Sequence, residues 1–222
     1  MRKGWKYWLL VRIPLWFILT SAALVTLLRW VPVRYTPVML KRAFQFREDS
    51  GYRTERKWVS LEDISPELIE AVILAEDQRF YSHHGFDWDE MGAMWKAHRE
   101  GGTKIRGCST ISQQTAKNVF TFGSPTFVRK GIETWWTILI ELIWGKERIL
   151  EVYLNVAEMG RGIFGAECAA REYYGISAVQ LDAREAVALA VCLPHPLKAT
   201  PFSPTPSDRS RRAQLLRSRG RR

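Results

Sequence analysis

The sequence predicts a mainly α protein, and three observations carry that prediction. From Ser65 onward, apolar residues recur at helical spacing in one segment after another. Ser or Thr with a nearby proline opens several of these segments, and glycine or proline closes them. Strand signals are scarce, with one short strand suggested in TERKWVSLED, and no repeat of fixed period appears. A chain of 222 residues, 46% of them hydrophobic, can bury a sizeable core, and its length fits one domain plus tails.

The first element is apolar. Ile13 to Leu28 is free of charge and would form about 24 Å of helix at 1.5 Å per residue, short of a bilayer core. Extending the span to Trp8–Val33 brings in Arg12 and Arg29, which can snorkel, and Trp5, Trp8 and Trp30 flank it as interfacial anchors. A cleaved signal peptide is the rival, but LRWVPVRY after the run offers no small-residue cleavage site, so residues 1–34 read as an uncleaved anchor. Arg2, Lys3, Lys6 and Arg12 before the span are matched in number by Arg29, Arg34, Lys41 and Arg42 after it, which leaves only a weak lean toward a cytoplasmic N-terminus.

Residues 35–60 read as a connector, and residues 61–203 carry the periodic segments. Ser65 and Pro66 open the first helix, where Leu68, Ile69, Val72, Ile73 and Ala75 repeat, and Gly85 is placed to end the segment. HREGGTKIRG predicts a mobile loop; Ser109 or Thr110 then caps a second helix through ISQQTAKNVF. A third helix starts at Ser124 and Pro125 and runs to Gly145. KERILEVYLN, GAECAAREYYG and LDAREAVALAVCLP supply three more, the last stopped by Pro194 and Pro196. Residues 204–222, with seven arginines and little apolar content, predict a disordered basic tail able to touch anionic lipid.

The formal charge of +10 suits nucleic acid, anionic lipid or a phosphate-bearing substrate. Most of the excess lies in the tail and no base-reading motif accompanies it, so nucleic acid is the weakest of these. Cys108, Cys168 and Cys192 lie far apart without metal-ligand spacing and read as free thiols. His83 and His84 have no further His at zinc spacing, since His98 and His195 are isolated.

Three constellations stand out. Glu76 follows Ala75 toward the buried side of its helix, where a carboxylate has a raised pKa; it fits a general base, or equally a carboxylate hydrogen-bonded to a neighbouring helix. Thr110, Gln114 and Lys117 fall at i, i+4 and i+7, a polar stripe that fits a cleft wall or a solvated face. Arg129 and Glu133 at i, i+4 make an intrahelical ion pair on any reading.

Taken in order, AEDQRFYSHHG, GCSTISQQTAKN, RKGIETWWTILIE and ILEVYLNVAEMGRGIFGAECAAREYYG resemble the successive motifs of the peptidoglycan glycosyltransferase family, over residues 60 to 203. A chain of this length with an anchor and no second domain is similar to the monofunctional biosynthetic transglycosylases of that family. The resemblance implies a lysozyme-like helical head with a small membrane-facing jaw, polymerising lipid II into glycan strands with release of undecaprenyl pyrophosphate and inversion at the donor sugar. It gives Glu76 the general-base position and Glu133 that of a second essential carboxylate. Asp77, Phe80 and His83 match cleft-shaping, substrate-side positions; Thr110, Gln114 and Lys117 match the donor side, with Arg129 and Lys130 opening the third motif. Asn155, Gly160, Gly162 and Gly165 match backbone-shaping positions, and Cys108 departs from the family's small residue. Mg2+ or Mn2+ at Glu133 is the one cofactor implied; no organic cofactor is.

The implied partners are lipid II, the growing strand, membrane lipid, and other cell-wall synthesis or division proteins. The implied place is the cytoplasmic membrane, crossed once, with the catalytic head periplasmic. The chemistry suits the residue types: a neutral sugar hydroxyl needs a base, and a pyrophosphate leaving group needs cations such as Lys117 and Arg129. Two rivals remain, a lytic enzyme of similar fold using one glutamate, and a membrane-tethered scaffold.

Overall fold

A computed structural model describes residues 8–101, 109–122 and 127–219. Its helices are α1 (Ile13–Leu28), α2 (Pro37–Gln45), α3 (Pro66–Glu76), α4 (Trp88–Arg99), α5 (Ile111–Phe120), α6 (Phe127–Ile143), α7 (Lys146–Val156), α8 (Ala166–Tyr174), α9 (Ala183–Ala190) and α10 (Pro206–Arg219). Strands β1 (Glu55–Arg56), β2 (Glu158–Gly160) and β3 (Ile163–Phe164) form a small sheet in the order β1-β3-β2, parallel between β1 and β3 and antiparallel between β3 and β2. The class is mainly α, as expected. Arg2, Lys3, Trp5, Lys6, Cys108, most of the predicted mobile loop, and the Ser124–Pro125 start of the third predicted helix lie outside the described residues.

The core is built around α9, whose Ala186, Val187, Ala188, Leu189 and Ala190 are all buried. A helix apolar on every side belongs in an interior, and its alanines let α3 approach closely with Leu68, Ala71 and Val72. Ser65 caps α3 as predicted, accepting from the Glu67 amide at 3.2 Å, while its own hydroxyl donates to Leu181 O. Helix α5 packs against both α6 and α7. Asn155 of α7 fixes the segment after β1, accepting from Val59 N and donating to Val59 O, both at 2.9 Å. At Gly162, where φ is +78°, a Cβ would stand 2.2 Å from Arg53 O, so only glycine lets the β2–β3 turn pass under the connector.

With the turn Trp8–Arg12, α1 makes a 21-residue helix long and apolar enough to cross a membrane. It stops at Leu28, short of the predicted Val33, with Arg29 capping it and Pro32 close behind. The helix lies on the head: Trp144 Nε1 donates to Val25 O at 2.7 Å, Trp135 Nε1 to Ser21 Oγ at 3.2 Å, and Arg29 to Ile143 O at 2.6 Å. Of the two adjacent tryptophans of α6, Trp136 is core, stacked on Phe120 at 4.1 Å, and Trp135 is half-buried against α1.

Four expectations need correction. The connector contains α2, opened by Thr36 accepting from Met39 N with Pro37 in the first turn, the same signature as Ser65–Pro66. Helix α3 ends at Glu76, well before Gly85, because Asp77 leaves helical geometry (φ −163°, ψ 78°) and commits its carboxylate elsewhere. Helix α4, after Gly85, was not foreseen; Asp87 caps it by accepting from Glu90 N. Finally, the tail predicted to be disordered folds from Pro206 to Arg219 as α10. Asp208 and Thr205 cap each other reciprocally, Asp208 and Leu215 are buried, and Leu216 packs on the core. Two leucines and a buried cap outweigh the polar composition once α3 and α9 offer a surface.

Candidate active site

Glu76 is the last residue of α3 and looks across at α5. Gln114 donates from Nε2 to Glu76 Oε2 at 2.9 Å, and Arg211 of α10 donates from Nη2 to Oε1 at 3.2 Å and also to Ala75 O. Tyr153 of α7 donates its hydroxyl to Gln114 Oε1 at 3.1 Å. The Glu76 carboxyl is held above the usual carboxylate range. Burial is the main cause; Gln114, Arg211 and Lys117 pull the other way, and Asp77 adds to the rise. A base poised upward, toward neutrality, is what proton abstraction from a hydroxyl requires.

Two lobes open from this point. One, a cavity of about 530 Å³, is lined by Glu76, Glu90, Ser109, His195 and the Ser207, Asp208 and Arg211 face of α10. The other, of about 340 Å³, is lined by Lys41, Arg42, Asn118, Arg129, Tyr153 and Glu158. Gln114 and Lys117 belong to both, so the lobes form one cleft with the carboxylate toward one end and cations toward the other. Burial lowers the Lys117 pKa first; Glu133 and Glu76 oppose that, while Arg129 and Lys130 add to it. An ammonium so placed is poorly solvated and ready for an anionic ligand.

Arg129 and Lys130 converge on Glu133, at 2.5 Å and 3.8 Å, and Glu133 itself is buried. Glu133 therefore stands behind the cationic lobe rather than on its wall. The Glu133 carboxylate faces two cations, and no group of three His, Cys, Asp or Glu suited to a metal occurs among the described residues.

The other expected residues act from beneath. Asp77 is buried and accepts from Ile111 N at 3.0 Å, and His83 Nε2 lies 2.9 Å from its Oδ1. That ties the end of α3 to the start of α5 and so sets Glu76 against Gln114. Phe80 is fully buried and stacks edge-on to His83, with Lys146 over its ring at 4.5 Å. Phe80 is fully buried, while Asp77 keeps a small exposed edge on the cavity that Glu76, Arg79 and Asp89 also line. Thr110 caps α5 and donates to Gly85 O at 2.7 Å, which fixes the loop after the histidines. The stripe of Thr110, Gln114 and Lys117 is thus a cleft wall, with Thr110 as its buried foundation.

Reasoning from sequence missed Lys41, Arg42, Tyr153, Glu158 and Arg211. Arg42 pairs with the buried Glu158 at 2.8 Å, and burial raises the Glu158 pKa against the pull of Arg42. The Thr36–Pro37 cap was the available signal for Lys41 and Arg42; nothing local marked Arg211. His195, isolated from the other histidines in the sequence, lines the cleft 3.8 Å from Asp208.

The chain resembles known proteins along most of its length. It is 47% identical over 199 residues to the biosynthetic peptidoglycan transglycosylase of Rhodospirillum centenum, covering 90% of this chain and 84% of that one. Against the protein of the same name from Pseudomonas aeruginosa the identity is 46% over 202 residues, 90% of this chain and 87% of the relative. The one from Caulobacter vibrioides is 47% identical over 174 residues, 78% and 73% of the two chains. The profile described as transglycosylase matches residues 41–219, a span that takes in the C-terminal half of α2 and the whole of α10 as well as the four motifs. With Glu76, Gln114, Lys117 and Arg129 gathered on one cleft inside that span, the chain belongs to the transglycosylase family.

Proposed function

We propose that this protein is a peptidoglycan glycosyltransferase that polymerises lipid II into glycan strands. The supporting observation is the cleft itself: a buried carboxylate and a cationic lobe share Gln114 and Lys117, which suits an acceptor hydroxyl at one end and a pyrophosphate at the other. Names carried by close relatives point the same way.

In this reading Glu76 takes the proton of the acceptor 4-hydroxyl as its oxygen attacks the donor's anomeric carbon from the face opposite the leaving group. The bond to the pyrophosphate oxygen breaks and its electron pair leaves with undecaprenyl pyrophosphate, so one displacement inverts the carbon. Gln114 holds the Glu76 carboxylate in place. Lys117 and Arg129, with Lys41 and Arg42 on the same lobe, stabilise the charge that builds on the departing phosphates. Glu133 holds Arg129 at its post and carries Lys130 as a second cationic partner. The apolar N-terminal helix anchors the enzyme in the cytoplasmic membrane, and the head works on its outer, periplasmic face, where the lipid-linked substrate and the lengthening strand are at hand. Other cell-wall synthesis or division proteins are the expected company there.

The test is incubation of the purified full chain with lipid II. Long strands and released undecaprenyl pyrophosphate are expected, and Glu76→Gln should abolish both. A chain that instead shortens preformed glycan, or that supports cell-wall growth undiminished as Glu76→Gln, would sink the proposal in favour of a lytic enzyme or a scaffold.

A further inference from the structure

We propose that Arg211 on the C-terminal helix is the positioning residue for Glu76, and that α10 completes the acceptor side of the cleft rather than serving as a tail. The proposal rests on the general-base reading of Glu76. Three features of the geometry support it. Arg211 Nη2 sits 3.2 Å from Glu76 Oε1 and also bonds Ala75 O, so one guanidinium grips both the side chain and the backbone at the end of α3. Gln114 holds the other carboxylate oxygen. Two donors from two different helices therefore fix the plane of the carboxylate, and each oxygen retains a lone pair for an acceptor hydroxyl.

The helix that carries Arg211 is itself anchored. Asp208 and Leu215 are buried, Asp208 and Thr205 cap its start, and the axis packs on α3 and α9. Ser207, Asp208, Ser210, Arg211 and Gln214 then form a wall of the larger lobe. A lobe of about 530 Å³ is open enough to admit a sugar beside Glu76, and this wall presents hydroxyls, an amide and a guanidinium to it.

The electrostatics give the contact a readable consequence. The groups around Glu76 are Asp77 beside it, Gln114 and Lys117 from α5, Tyr153 from α7 and Arg211 from α10; Glu90, His195 and Asp208 line the same lobe. Among these, Gln114 first and then Arg211 and Lys117 favour the ionised carboxylate against its burial. Removing the Arg211 charge leaves the base protonated to higher pH, so the loss of rate is largest in acid and shrinks in alkali. A purely structural helix would lower the rate by a similar factor at every pH.

The experiment is the initial rate of lipid II polymerisation by the full chain in detergent, from pH 5.5 to 9, for the parent, Arg211→Met, Arg211→Lys and Glu76→Gln. Arg211→Met is expected to move the acid limb up by about one pH unit, so that kcat on that limb falls about ten-fold, the ten-fold that one unit of pKa represents, with KM within about two-fold. Arg211→Lys keeps the charge and should hold the limb near its parental place. Should Arg211→Met fail to fold by thermal unfolding, Arg211→Lys and rescue of Arg211→Ala by added guanidinium, against sodium chloride at equal ionic strength, carry the test; rescue supports the proposal and its absence in folded protein overturns it. A parental limb in folded Arg211→Met overturns it, and so does a rise in rate, which would make α10 an obstructing lid. If Glu76→Gln keeps full activity the general-base reading fails first; if Glu76→Gln is inactive and the Arg211 limb does not move, only the present proposal fails.

Discussion

Gln114 is held between Glu76 and Tyr153, its amide nitrogen 2.9 Å from the Glu76 carboxylate and its amide oxygen 3.1 Å from the Tyr153 hydroxyl. An amide has one donor end and one acceptor end, so the tyrosine hydroxyl decides which end meets the carboxylate. Burial pushes the Tyr153 pKa well above its ordinary value, so the hydroxyl keeps its proton and remains a donor. Tyr153→Phe removes that donor and little else, because the ring stays in the core. The amide oxygen then loses its donor, and the side chain is held only through its nitrogen, by Glu76 and Ser109 O. A hydrogen bond of this kind contributes about 1 kcal/mol, so the polymerisation rate should fall about five-fold while thermal unfolding moves by only a few degrees. An unchanged rate would show that Gln114 is oriented by other contacts, such as the one it makes to Ser109 O at 3.2 Å.

Glu76 should cost the fold stability at neutral pH. Its folded pKa is raised above the ordinary 4.5, chiefly by burial. The folded state therefore binds the proton more tightly than the unfolded state does. Its contribution is fully favourable below the unfolded value and is lost as pH rises through the folded one. Glu76→Gln, which carries no charge at any pH, is expected to unfold at a higher temperature than the parent at pH 7.5. The gap should close as pH falls toward 4.5. Thermal unfolding of both proteins across that range checks it, and a gap of the opposite sign would mean that the bonds from Gln114 and Arg211 outweigh desolvation.

Much of this site was legible in the sequence because its parts are local. The Ser65–Pro66 cap, the periodicity behind it and the i, i+4, i+7 spacing of Thr110, Gln114 and Lys117 are each encoded within one turn or three. Glu76 fell on the buried side of α3 for the same reason. What the sequence did not disclose are contacts made across long separations. Arg211 reaches Glu76 over 135 positions, and Arg42 reaches Glu158 over 116. The polar composition of 204–222 concealed α10, whose stability comes from the surface of α3 and α9 rather than from its own pattern. For Asp77 and Phe80 the motif marks the positions, while burial shows how each is packed beneath the cleft.

Asp77 joins two halves of the cleft from below. Its carboxylate accepts from the Ile111 amide at the start of α5 and lies 2.9 and 3.0 Å from His83 Nε2. Replacing it with alanine leaves two buried donors without their acceptor, and each such loss costs about 1–3 kcal/mol. Asp77→Ala should therefore be destabilised by about 2–6 kcal/mol in urea unfolding, and polymerisation should fall with it. Asp77→Asn keeps one acceptor oxygen and should lose less. Full activity together with full stability in Asp77→Ala would detach the placement of α3 against α5 from this carboxylate.

Glu133 separates two explanations of an essential buried carboxylate. It holds Arg129 at 2.5 Å and Lys130 at 3.8 Å, and it also opposes the burial that lowers the Lys117 pKa. Glu133→Gln withdraws that opposition, so Lys117 should lose its proton at lower pH than in the parent, and Arg129 loses an ionic partner. If Glu133 acts through these cations, the alkaline limb of the polymerisation rate moves to lower pH, and lipid II binding weakens most at the alkaline end. If it meets the substrate itself, activity disappears at every pH with no movement of the limb. The position of Glu133 behind Arg129 and off the cleft wall favours the first outcome. The rate profile of Glu133→Gln between pH 6 and 10, set beside that of Lys117→Gln as the fully discharged case, distinguishes the two.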